Sequence, residues 1–259
     1  MGIHFLIAQI LGGALMLFLM GRAGNGQDAY YDNAIWLTGV TGICTMIPAL
    51  FFFRRDYAAR KSTGVIPKNG QQHISAGEGI WLFFTGAALA QFGNILMAFL
   101  MLFFDSSEYQ ETMSMLTDGK SLAMMIFWMG IVAPAAEEMV FRWLIYLRLR
   151  DYTRMLWAAV ISGAIFGIYH GNLVQAIYAG ILGTVFAYIL EMTGNLMSSV
   201  LLHIGANVWS LIYPEIAVRL LDTSAQFLIL AWIGLLLLIL VTGLLYFTEK
   251  GRKRGKRSI

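Results

Sequence analysis

The stretch from Phe227 to Phe247, FLILAWIGLLLLILVTGLLYF, runs 21 positions without a charged residue. A helix of roughly 20 apolar residues crosses the ~30 Å hydrocarbon core of a bilayer. In water the same helix would expose apolar surface on every side, so this stretch reads as a membrane span. The rest of the chain agrees. Hydrophobic residues make up 58% of the 259 positions and charged residues 13%. Soluble domains average about 25% charged residues, and a core of this size cannot absorb the remaining apolar side chains. The pattern predicts eight spans, at 3–20, 35–53, 79–104, 121–147, 155–171, 173–190, 196–213 and 227–247. The fold class is therefore all-α, a polytopic transmembrane helical bundle. Residues 1–259 are expected to form one membrane domain, ending in a basic tail at 248–259. Met1 to Met20 lacks the basic start of a cleavable signal and is read as a span.

Lys and Arg are distributed unevenly among the predicted loops. One side collects Arg54, Arg55, Arg60, Lys61, Lys68, Arg148, Arg150, Arg154, Lys250, Arg252, Lys253, Arg254, Lys256 and Arg257. The other has Arg22, Lys120 and Arg219, among several carboxylates, and Arg142 falls inside a span. Basic loops stay cytoplasmic, so both termini are expected there, as an even number of spans requires. The basic tail suits anionic lipid headgroups or serves as a topology anchor. Membrane lipids are thus expected partners, and nucleic acid is not. Cys44, the single cysteine, excludes an internal disulfide framework and a cysteine-based zinc site.

Charged side chains inside a span cost several kcal/mol, so those that remain usually carry function. The fourth span contains Ala133-Pro134-Ala135-Ala136-Glu137-Glu138-Met139-Val140-Phe141-Arg142. Glu138 and Arg142 stand at i and i+4, where they pair along a helix face. Glu137 points about 100° away and has no partner at that spacing. One carboxylate is clamped and the other is left as a candidate general base. A buried ion pair that only locks helices together is the structural alternative. The fifth span ends Phe166-Gly167-Ile168-Tyr169-His170, with Gly163, Gly167 and Gly171 spaced for close helix approach. The seventh places His203 and Asn207 on one face. Counting 1.5 Å per residue puts Glu137 about 16 Å and His203 about 12 Å from the basic end, but His170 about 24 Å. That mismatch is unexplained by sequence.

Glu137-Glu138-x-x-x-Arg142, Phe166-x-x-x-His170 and His203-x-x-x-Asn207 resemble, in order, the three motifs of the CAAX-protease and bacteriocin-processing (Abi) family of intramembrane endopeptidases. The segment Thr193-Gly194-Asn195-Leu196 also looks like the family. The resemblance covers residues 121–213, which it implies are the catalytic core. It implies peptide-bond hydrolysis in the membrane, with Glu137, Glu138, Arg142, His170, His203 and Asn207 as catalytic residues. Glu137, assisted by His170, would activate a water, and His203 and Asn207 would donate to the oxyanion. Arg142 would hold Glu138. No cofactor is favoured. Zinc is the alternative, held by Glu137, His170 and His203, but the HExxH element is absent and Arg142 would repel a cation.

The substrate is expected to be a peptide or protein, either prenylated or otherwise membrane-associated. The chain's small size and lack of an N-glycosylation sequon favour a prokaryotic plasma membrane, with the site reached from the cytoplasmic side. Two other functions fit less well. One is a non-enzymatic regulator, immunity factor or scaffold that keeps the protease fold. The other is a proton-coupled transporter, against which the chain shows no duplicated halves.

Overall fold

The computed structural model describes residues 10–14, 17–18, 26–64, 72–221 and 226–257. Most of the first expected span, 3–20, lies outside the described residues. The helices are α1 (Gly26–Ser62), α2 (Ala76–Leu100), α3 (Ser107–Thr117), α4 (Leu122–Tyr152), α5 (Met155–Tyr169), α6 (Leu173–Thr193), α7 (Leu196–Leu221) and α8 (Gln226–Arg257). No strand occurs among the described residues. α1, α2, α4, α6, α7 and α8 are long and apolar enough to cross a membrane, while α5 is shorter at 15 residues. The protein is a polytopic helical bundle. α8 runs on without a break to Arg257, so the basic stretch continues the last helix.

Two apolar clusters build the interior. One joins α1, α4, α5 and α6 through Phe53, Phe141, Tyr146, Ala158 and Phe166. The other joins α2, α6, α7 and α8 through Leu82, Phe186, Leu202 and Phe247. Without a hydrophobic drive between helices in lipid, close packing depends on small residues. A methyl group on Gly167 would fall 2.1 Å from the Ala176 carbonyl oxygen, which shows how closely α5 approaches α6. Gly171 does not continue this packing face. It takes φ +83° in the turn after α5, with nothing near its Cα. α8 is the least enclosed span, and Leu230, Leu238 and Leu245 are each at least 60% exposed, as lipid-facing residues should be.

α4 is not a uniform helix. Ile126–Val132 and Met139–Tyr146 are π-helical, and the α-helical turn Ala133–Glu138 lies between them. The Ala133 N–H donates to the Trp128 carbonyl, five residues back. The same register would pair residue 134 with Met129, but Pro134 has no N–H to give. Asn207 of α7 supplies the missing donor, its Nδ2 lying 3.0 Å from the Met129 oxygen. In the second π segment the buried Ser162 hydroxyl donates to the Phe141 carbonyl at 2.9 Å. Side chains of neighbouring helices thus satisfy carbonyl groups that π geometry and proline leave open.

One end of the bundle gathers the basic residues. Arg60 pairs with Asp151, Arg148 with Asp56 and Arg150 with Glu191. Lys250 of α8 and the Tyr246 hydroxyl both bond Glu78, which closes the capping box at the start of α2. At the opposite end Lys120 donates to the Asp32 carbonyl oxygen at 2.7 Å.

Candidate active site

Glu138 and Arg142 have no exposed side-chain surface, and Arg142 Nη1 stands 3.1 Å from Glu138 Oε1. The guanidinium lies over the rings of Phe166, at 4.4 Å, and Phe186, at 5.3 Å. Phe166 comes from the first apolar cluster and Phe186 from the second, so the charge sits where the two clusters meet. Among the described residues no guanidinium nitrogen makes a well-directed hydrogen bond; the Glu138 charge and the two ring faces hold it. Gly183 of α6 makes room. A methyl there would fall 2.7 Å from Arg142 Nη2 and 2.9 Å from the Phe166 ring. No motif or spacing in the sequence points to Gly183.

His203 brings the third motif to the two carboxylates of the first. Its Nδ1 is 2.9 Å from Glu138 Oε1. A carboxylate accepts, so Nδ1–H donates and Nε2 faces the other way. There Nε2 stands 3.6 Å from Glu137 Oε2, beyond good hydrogen-bond length. The His203 ring lies between Phe186, at 4.7 Å, and Phe166, at 5.6 Å. Glu137 keeps 21% of its side chain exposed, against none for Glu138. The adjacent carboxylates therefore differ sharply: one is enclosed and ion-paired, the other partly exposed.

His170 caps α5, and its Nδ1 lies 2.9 Å from the Phe166 carbonyl oxygen, one turn back. That oxygen can only accept, so the ring donates from Nδ1 and leaves Nε2 as the acceptor in the neutral form. The ring folds back beside Phe166, with centroids 4.8 Å apart. Asn207 sits one turn beyond His203 on α7, but its bond to the Met129 carbonyl uses one of its two amide N–H donors.

The residues suggested for zinc do not fit it as arranged. Among the described residues no three His, Cys, Asp or Glu side chains converge closely enough to hold a metal ion. Nδ1 of each histidine is engaged, which leaves Nε2 as the available ring nitrogen. Thr193-Gly194-Asn195-Leu196 is a structural turn. Gly194 takes φ +64°, Asn195 Oδ1 accepts from the Met197 N–H, and Asn195 Nδ2 donates to the Gln72 carbonyl.

With this geometry in view, residues 119–209 match the family described as "Type II CAAX prenyl endopeptidase Rce1-like". Over these residues the chain is similar to that family. All six candidate catalytic residues fall within the match. The chain is also 25% identical over 213 residues to the "Putative membrane peptidase YdiL" of Bacillus subtilis (strain 168). That alignment covers 79% of this chain and 82% of the relative. No solved structure gives a significant match.

Proposed function

We propose that the protein is an intramembrane endopeptidase that hydrolyses a peptide bond with a water activated by Glu137. The contrast between the two carboxylates carries this reading. Glu138 is enclosed and neutralised by Arg142, whereas Glu137 is partly open and lies 3.6 Å from His203 Nε2. The family match over the same residues and the likeness to a named membrane peptidase support it.

In this mechanism Glu137 takes a proton from water as its oxygen bonds the scissile carbonyl carbon. His170, through Nε2, orients that water. The tetrahedral oxyanion is met by His203 Nε2–H when the ring is protonated, and by the second Asn207 N–H. The carbon–nitrogen bond then breaks as Glu137 returns the proton to the leaving amine. Glu138 and Arg142 position His203 rather than touch the substrate. Residues 121–213 form the catalytic core and 248–259 the cytoplasmic tail. The substrate is a membrane-associated or prenylated peptide, met in a prokaryotic plasma membrane from the cytoplasmic side. The gathering of basic residues at one end of the bundle supports that orientation.

The decisive experiment is cleavage of prenylated and unmodified peptides by wild-type protein and Glu137→Gln in liposomes. The variant should lose at least ~100-fold in rate, the scale of a general base, and keep the wild-type thermal unfolding temperature. Wild-type rates in Glu137→Gln would refute the assignment.

A further inference from the structure

α5 holds 15 residues, Met155–Tyr169, and so rises about 22 Å from Arg154 at the basic end of the bundle. The hydrocarbon core is about 30 Å deep, and the turn that follows, residues 170–172, therefore lies inside it. Ile168 and Leu173 flank the turn with 68% and 54% of their surface exposed, as apolar residues facing lipid would be. Lipid offers no hydrogen bonds, so the backbone groups of such a turn need partners within the protein.

Those partners are local. The His170 N–H donates to the Gly167 carbonyl and the Gly171 N–H to the Ile168 carbonyl. The His170 carbonyl stands at the C-cap of α5, where a helix has no donor left to offer. Asn172, the N-cap of α6, meets it with Nδ2 at 3.4 Å. That is long for an N–H···O bond, yet in lipid the alternative is an unpaired carbonyl. Nδ2 also donates to Gln175 Oε1 at 2.9 Å, and Oδ1 accepts from the Gln175 N–H at 2.8 Å. Gln175 thus sets which way the amide faces. Capping alone needs an oxygen, which serine or threonine also supplies. The amide donors go beyond that task, and one of them meets the residue whose ring is held by the Phe166 carbonyl.

We propose that Asn172 is a positioning residue: its amide pins the last backbone unit of α5 and thereby fixes where the His170 ring presents Nε2. His170 is then held at two points, Nδ1 by Phe166 and the carbonyl by Asn172. A helix end otherwise frays, and a displacement of about 1 Å at a reacting group can cost ~100-fold in rate. Asn172 bonds His170 and Gln175 rather than a substrate, so it acts through His170. This inference rests on the role given to His170 in the proposed hydrolysis.

The test compares two variants of the full-length protein. Asn172→Ser keeps a capping oxygen and lacks the amide, whereas Asn172→Ala lacks both. Peptide cleavage in liposomes gives kcat and KM, with Glu137→Gln as the inactive reference. Nitrogen NMR of protein carrying isotope-labelled histidine gives the tautomer of His170, whose signals are identified by their loss in His170→Gln. That second readout does not depend on turnover. With the ring neutral, wild type should show the Nδ1–H tautomer alone, since Nδ1 donates to the Phe166 carbonyl. Both variants should mix tautomers and lose about tenfold or more in kcat, with KM within about twofold of wild type. The thermal unfolding temperature should fall further in Asn172→Ala than in Asn172→Ser. A residue that only caps α6 would leave Asn172→Ser like wild type, so wild-type kcat or an unmixed tautomer in that variant would overturn the proposal. Cleavage that is absent from wild type, or undiminished in Glu137→Gln, would instead refute the hydrolytic reading, and the tautomer comparison would still decide whether Asn172 holds His170.

Discussion

Arg142 is the most demanding residue in the molecule, because a fully buried guanidinium must be balanced from several directions. Glu138 supplies the opposite charge, Phe166 and Phe186 supply ring faces, and Gly183 supplies space. Removing one ion of such a pair leaves the other uncompensated. Arg142→Met should therefore cost about 3–5 kcal/mol by denaturant or thermal unfolding. Replacing both partners, Glu138→Leu with Arg142→Met, should recover much of that stability. It should not recover peptide cleavage, because His203 then loses the carboxylate that orients it. Gly183→Ala should cost about 1–3 kcal/mol, since its methyl meets a guanidinium and a ring that are both enclosed. The Glu138–Arg142 pair was legible as an i, i+4 spacing. Gly183 was not, because the residue it accommodates is 41 positions away and on another helix.

Among the elements, α4 carries an unusual dependence on its neighbour. Pro134 cannot donate to the Met129 carbonyl, and Asn207 does so from α7. Asn207→Ala should therefore leave a buried carbonyl unpaired and cost about 1–3 kcal/mol. Pro134→Ala restores an N–H at the position that π register aims toward Met129. The cost of Asn207→Ala should shrink in that background, and a double-mutant cycle on thermal unfolding measures the coupling. Equal costs in the two backgrounds would contradict the register argument. The sequence shows a proline, Pro134, inside the fourth span, where it can give no N–H to the helix. It did not reveal π geometry, because residue spacing sets apolar faces but not whether a turn bonds four or five residues back.

At the scale of the whole molecule, the segregation of charge predicts a topology that can be measured directly. Cys44 is the single cysteine, so Cys44→Ala gives a background for labelling. In intact cells Ser62→Cys should resist a membrane-impermeant thiol reagent and react once the membrane is opened. Gln110→Cys, on α3 near the opposite end, should react from outside. The reverse pattern would invert the proposed orientation and the side from which substrate enters.

The sequence by itself determined that this chain belongs in a membrane, how its basic residues divide, and which rare polar residues its apolar helices carry. These properties follow from composition and local spacing, because transfer into lipid is a sum over side chains and helix periodicity is fixed. The tertiary structure decided how those residues divide the work. Glu137 and Glu138 are neighbours of identical chemistry. They differ because His203 of α7 and Arg142, itself held under the rings of Phe166 and Phe186 from two further helices, engage one and leave the other partly open. That choice depends on how helices rotate and cross, and on gaps such as the one at Gly183, which local sequence spacing does not encode.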